Sequence, residues 1–164
     1  MKVAVANTTP LIGLAQIGQF DLLRMIFDVV YIAPSVYAGI HRGAGRPGSA
    51  EVQRGLAQGW LQIASEWDRS CVEALKIELG EGEAETIGLA NAMRVDAILL
   101  DERKGRAVAD RMGLPVLGTV GLLLLAKRQG ANLNLADSLH RLKAVGFRIS
   151  DALVEKLLTD HSSD

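Results

Sequence analysis

The chain has 164 residues, close to the commonest size of one domain, and its 49% of hydrophobic residues suffice to bury a substantial core. Aromatic residues make up only 4%, so the core is built from Leu, Ile, Val and Ala, which suits helices packed on a buried parallel sheet better than an aromatic-rich sandwich. With 18 Lys+Arg against 19 Asp+Glu, the net charge of −1 excludes a global electrostatic pull toward nucleic acid and leaves only a local patch for such binding. A single cysteine, Cys71, excludes an intrachain disulfide framework. The N-terminal MKVAVANTT lacks the apolar core and cleavage site of a secretory signal, so a cytoplasmic protein is expected. The apolar run Val120–Ala126 is far short of the roughly 20 residues that span a bilayer.

Taken in order, Lys2–Ala6 reads as a short strand. Asn7-Thr8-Thr9-Pro10 follows it, with Thr9 placed to cap a helix and Pro10 to take its first position. Leu11, Leu14, Ile17 and Phe20 recur at helical spacing, and a break is expected near Gly18 before a second apolar face of Leu22, Leu23, Met25 and Ile26. Val29–Ile32 is the second strand, and Pro34 opens a short helix, Ser35–His41. Arg42–Ser49, RGAGRPGS, spells the glycine pattern of a dinucleotide fold, Gly43-x-Gly45-x-x-Gly48. That pattern requires a strand before it and a helix opening inside it; the preceding helix and Pro47 deny both, so a mobile loop is the reading.

Ser49 is expected to cap a helix carrying Val52, Leu56 and Trp60, and Leu61–Ala64 an edge strand. Asp68 is placed to cap a helix with Cys71, Leu75 and Leu79 on one face. A helix from Glu83 to about Arg94 turns Ile87, Leu89 and Ala90 inward, and the strand Ala97–Leu100 ends in Asp101. A helix over Glu102–Met112 closes at Gly113, Pro115–Leu117 is a strand, and Thr119 caps an apolar helix that stops at Gly130. Leu135–Asp164 contains two helices divided by Gly146–Ser150, with Ser150 capping the second. The whole is an α/β chain without internal repeat or linker, read as a single domain over 1–164 with its C-terminal helices, 135–164, packed on it.

Parallel strands deliver their last side chains to one edge of the sheet, where ligands gather in open α/β folds. If the first and fourth strands are neighbours, Asn7 and Asp101 meet at that edge, and Glu83 in the first turn of its helix faces them. Such hard oxygen donors hold Mg²⁺ or Mn²⁺, ions that activate water and neutralise phosphate oxygens. The plainer alternative is that Glu81, Glu83 and Glu85 favour the positive end of a helix dipole and that Asp101 caps the next helix. Spacing alone favours that alternative.

Four stretches carry a resemblance: VANTTPLIGLAQIGQFDLLRMIFDVVYIAPSVY, LGEGEAETIGLA, ILLDERKGRAVADRMGLPVLGTVGLLLLAKRQG and the closing LKAVGFRIS. In their order and spacing, from Val3 to about Leu158, the chain resembles the PIN-domain-like family, in a bacterial and archaeal branch related to the toxin nucleases of toxin–antitoxin pairs. The resemblance implies a PIN-like three-layer α/β/α sandwich with a central, mostly parallel sheet. It also implies, in active members, a metal-dependent ribonuclease site of about four acids. The first position is held here by Asn7 before Thr8, the second by Gly39, the third by Glu83 and the fourth by Asp101. Asn7 keeps a carbonyl oxygen without the charge, and Gly39 offers no side chain. Glu81, Glu85 and Glu102 are the acids near enough in sequence to compensate.

The expectation is therefore a depleted PIN-like site with Glu83 and Asp101 as catalytic residues and Asn7, Glu83 and Asp101 as ligands of Mg or Mn. Thr8, Arg103, Lys104 and Arg106 would contact RNA, since phosphate contacts supply most sequence-independent affinity. The basic residues alternatively form a solvated helix face, paired with Glu102 and Asp110. The implied partners are RNA and an antitoxin-like protein, with a homodimer as a further use of the C-terminal leucines. A catalytically inactive binding module for protein or RNA is the competing function. His41, His140 and His161 share no metal-ligand spacing, and Cys71 reads as a small buried apolar group. A phosphate-accepting regulator is set aside, because Val5-Ala6-Asn7 has no acid pair.

Overall fold

Short runs of small and branched apolar residues form β1 (Val3–Ala6), β2 (Val29–Ile32), β3 (Leu61–Ile63), β4 (Ala97–Leu99) and β5 (Val116–Leu117). They are seen in a computed structural model that describes residues 1–42, 45–64 and 67–161. The strands join in the order β3-β2-β1-β4-β5, and every pair is parallel. The helices are α1 (Thr8–Gln16), α2 (Leu22–Ile26), α3 (Pro34–Ile40), α4 (Ser49–Gln58), α5 (Arg69–Leu75), α6 (Glu81–Met93), α7 (Arg103–Arg111), α8 (Thr119–Arg128), α9 (Leu135–Ala144) and α10 (Asp151–Asp160).

The two-residue period of the strands sorts side chains between two apolar layers. Val5, Ile98 and Leu100 pack with Val72 of α5, Ile87 of α6 and Val108 of α7. Ala4, Ala6, Val30, Ile32 and Leu99 face the other way, onto Leu11 and Leu14 of α1, Leu122 of α8 and Leu139 of α9. The result is the expected three-layer α/β/α sandwich, its sheet parallel throughout. Fully burying one such leucine is worth about 2 kcal/mol, against roughly 0–1 kcal/mol for an exposed ion pair such as Arg54–Asp21. Apolar burial therefore holds the layers together.

The start of β1 is fixed at both sides. Lys2 N–H donates to Asp28 Oδ2 at 2.6 Å, and Val3 N–H donates to Asp96 Oδ2 at 2.7 Å. At the other end of the chain, α9 packs on α8 and α10 on α9. Phe147, between α9 and α10, lies over Gly13 of α1: a Cβ on Gly13 would stand 2.5 Å from the Phe147 Cζ.

Several helix starts differ from expectation. α1 begins at Thr8, so Asn7 rather than Thr9 holds the position before it, and the Asn7 side chain makes no capping bond. α4 ends at Gln58 because Gly59 adopts φ 84°, so Trp60 lies outside the helix and packs its ring 5.8 Å from Phe20. α6 starts at Glu81, two residues ahead of Glu83. Asp68 and Ser150 do cap α5 and α10, accepting from Ser70 N–H and Cys71 N–H and from Leu153 N–H respectively. Gly43 and Ala44 of the glycine-rich loop, Ser65 and Glu66, and residues 162–164 of the tail lie outside the described residues. Among the described residues, no helix is long and apolar enough to cross a membrane.

Candidate functional site

The strand order reverses beside β1: β2 and β3 lie on one side of it, β4 and β5 on the other. In an open parallel sheet this switch point opens a crevice at the carboxyl ends of the strands. Asn7 follows β1, and its N–H donates to Leu99 O of β4 at 3.0 Å. Asn7 and Asp101 thus leave adjacent strands at the same edge. Asn7 is only 8% exposed, and among the described residues its side chain has no hydrogen-bond partner. Its Oδ1 lies 3.6 Å from the point where a Cβ on Gly82 would stand, so the amide reaches the first turn of α6.

Glu83 belongs to that turn. Its carboxyl lies against α7 in space left by Gly105, where a Cβ would stand 2.5 Å from Glu83 Oε2. Oε2 is buried and accepts no hydrogen bond among the described residues. The Glu102 carboxyl lies within hydrogen-bonding reach of the Glu83 carboxyl, yet two carboxylates bond only when one of them holds a proton. Burial first, and then this neighbouring acid, push the Glu83 carboxyl up to about 7, while the Gly80 backbone and the Lys104 ammonium pull it down. Glu83 is therefore an acid that sheds its proton near neutrality, as a general acid or base requires.

Asp101 is in a different state. Its Oδ1 accepts from Thr119 N–H at 2.8 Å and its Oδ2 from Thr119 Oγ1 at 2.6 Å. It caps a helix, but α8, reached across β5, rather than the α7 that follows it in sequence. Arg106 reaches the same corner: its Nη1 stands where a Gly118 side chain would begin, 3.1 Å from which lies Asp101 Oδ1. Arg106 also donates to Leu100 O at 3.4 Å.

The other acids separate. Glu81 is exposed. Glu85 is buried, and its Oε2 accepts from Ser35 N–H at 3.2 Å and from Ser35 Oγ, which ties α6 to the first turn of α3. Gly39 of α3 faces the edge, with Thr8 Oγ1 4.0 Å from the position a Cβ would take and nothing nearer. Thr8 is half-buried there, and Arg103 and Lys104 are exposed at the start of α7. Arg111, further along, pairs with Glu78 at 3.3 Å.

The histidines stay apart. His41 stacks on Tyr37 at 4.2 Å and shares Gln53 with it; His140 bonds Ala136 O and His161 bonds Leu157 O. Cys71 is half-buried, and burial followed by the charge of Asp68 raises its thiol, the opposite of an activated nucleophile.

The edge therefore gathers Asn7, Glu83, Glu102 and Asp101, all hard oxygen donors suited to Mg²⁺ or Mn²⁺. Among the described residues no three His, Cys, Asp or Glu side chains converge as a metal cluster. The orphaned oxygen of Glu83 and the unpartnered amide of Asn7 nevertheless fit a cation held by fewer charges than usual. Sequence reading missed three contributors: Thr119, Ser35 and Gly105. Thr119 reads locally as a cap for its own helix, Ser35 as the start of a short helix and Gly105 as an ordinary helical glycine. Only the fold shows that each serves a carboxylate from elsewhere.

A comparison with protein families matches residues 3–163 to DUF3368, described as a PIN domain. No curated protein and no solved structure gives a match.

Proposed function

Since the chain belongs to the DUF3368 family of PIN domains, we propose that it is a nuclease-type protein acting on RNA with a divalent cation, the toxin-type member of a toxin–antitoxin pair. The observation that carries this reading is the buried Glu83 Oε2, unpartnered among the described residues, in the first turn of α6, the turn that the Asn7 Oδ1 also reaches. These are the first residues that would hold Mg²⁺ or Mn²⁺. The chemistry such an ion supplies is Lewis acidity toward water and toward a phosphodiester. Around it, Arg103, Lys104 and Arg106 present cations to the sugar–phosphate chain and Thr8 presents a hydroxyl. RNA and an antitoxin-like protein are the partners of this reading, and a homodimer is compatible with it.

The gap at Gly39 supports a second reading, in which the fold binds RNA or protein without cleaving. The double variant Asn7→Asp, Gly39→Glu separates the two. Gly39 lies inside α3 with no positive φ, and its Cβ position meets only Thr8 Oγ1 at 4.0 Å, so a side chain is accommodated. With Mn²⁺ and a structured RNA, cleavage that appears or rises in the double variant identifies a depleted nuclease. If neither protein cleaves, the binding module is the function.

A further inference from the structure

We propose that Glu102, rather than Asp101, is the carboxylate that joins Glu83 in holding a divalent cation. This deepens the proposed function and rests on it. Both Asp101 oxygens are already engaged by Thr119, at 2.8 and 2.6 Å, in bonds that anchor β4 to the start of α8. The Arg106 guanidinium occupies the same corner, so a second cation there would meet a positive neighbour.

Glu102 is the reverse case. It holds the position just before α7, where its side chain could cap the free N–H groups of the first turn, yet it makes no capping bond. It leaves the chain at the same first turn of α7 whose Gly105 receives the Glu83 carboxyl, and no cationic side chain, Lys104 included, comes within ion-pair distance of either among the described residues. Two carboxylates brought together in this way repel unless a proton or a metal ion lies between them. Gly105 keeps the place open, since a Cβ there would collide with Glu83 Oε2. Independently of the acids, Asn7, a residue only 8% exposed, makes no capping bond and turns its Oδ1 to the same turn of α6 that carries Glu83. Two charged donors and one neutral carbonyl make a weak, hard-oxygen site, displaced by one residue along the chain from the acid that ends the strand.

Calorimetric titration of the full chain with MnCl₂ at pH 8, beside thermal melts, tests the assignment. Glu102→Gln and Glu83→Gln should each weaken Mn²⁺ binding by about tenfold or more, whereas Asp101→Asn should lower the melting temperature and leave the affinity within about threefold. Glu102 is exposed, so its variant is expected to fold. Binding lost in Asp101→Asn and kept in Glu102→Gln would overturn the assignment and leave the proposed function standing. A wild type that binds no Mn²⁺ would overturn both.

Discussion

The two corners of the site treat their carboxylates in opposite ways. Asp101 gives one oxygen to a backbone N–H and the other to a hydroxyl, and an arginine stands beside it. Glu83, in the first turn of α6, has a buried oxygen with no donor among the described residues and an acid for a neighbour. The first arrangement spends its charge on joining strand to helix; the second leaves charge uncompensated inside the fold. Holding an unsatisfied carboxylate lowers stability, so the contrast separates the part of the edge that builds the protein from the part free to bind something.

The largest effect should come from breaking the satisfied corner. Asp101→Ala removes two hydrogen bonds to a charged acceptor and strands the Thr119 N–H at the start of α8, a loss of about 3 kcal/mol. Denaturant unfolding measures it; a loss below about 1 kcal/mol would mean that water replaces the carboxylate there.

The unsatisfied corner should show itself next, in pH dependence. Below the ordinary glutamate value of 4.5, Glu83 is protonated whether the chain is folded or unfolded. Between there and about 7 the folded protein keeps a proton that the unfolded chain has released. Stability from this group therefore falls as pH rises across that window and stays low above it. Glu83→Gln, with no proton to lose, should flatten this slope in melts taken from pH 4 to 8 and raise the melting temperature relative to wild type at pH 8. An unchanged slope would place the wild-type Glu83 carboxyl in the ordinary range.

Ser35→Ala sharpens the comparison from a third carboxylate. It removes one of the two groups that Glu85 holds but leaves the Ser35 N–H donating, so a loss of about 1 kcal/mol is expected, within the range of a single hydrogen bond. A loss as large as that of Asp101→Ala would show that α3 depends on this hydroxyl for its position.

Much of this was legible in the residues. Alternating apolar runs gave the strands, and the placement of Asn7 and Asp101 at a common edge followed from β1 and β4 being parallel neighbours. Asp68 and Ser150 were readable as caps because each bonds to N–H groups two or three residues ahead. The state of each acid was not readable. Glu81, Glu83 and Glu85 fall within five residues of helix, yet one is in solvent, one against α7 and one under α3, because helical rotation sends neighbours to different surroundings. The partner of Asp101 lies 18 residues on, across a strand, where local pattern carries no information.

The Phe147 ring over Gly13 also bears on the order in which the protein can be completed. A ribosome releases β1 and α1 first, but β1 still lacks its neighbour β4 and the Asp96 carboxylate just ahead of it, which bonds an N–H 93 residues earlier. The surface of α1 at Gly13 stays uncovered until the segment after α9 emerges. Contacts this distant in sequence form late, after their loop-closure entropy has been met. The helix that follows Asn7 is thus made at the beginning of synthesis and covered near its end.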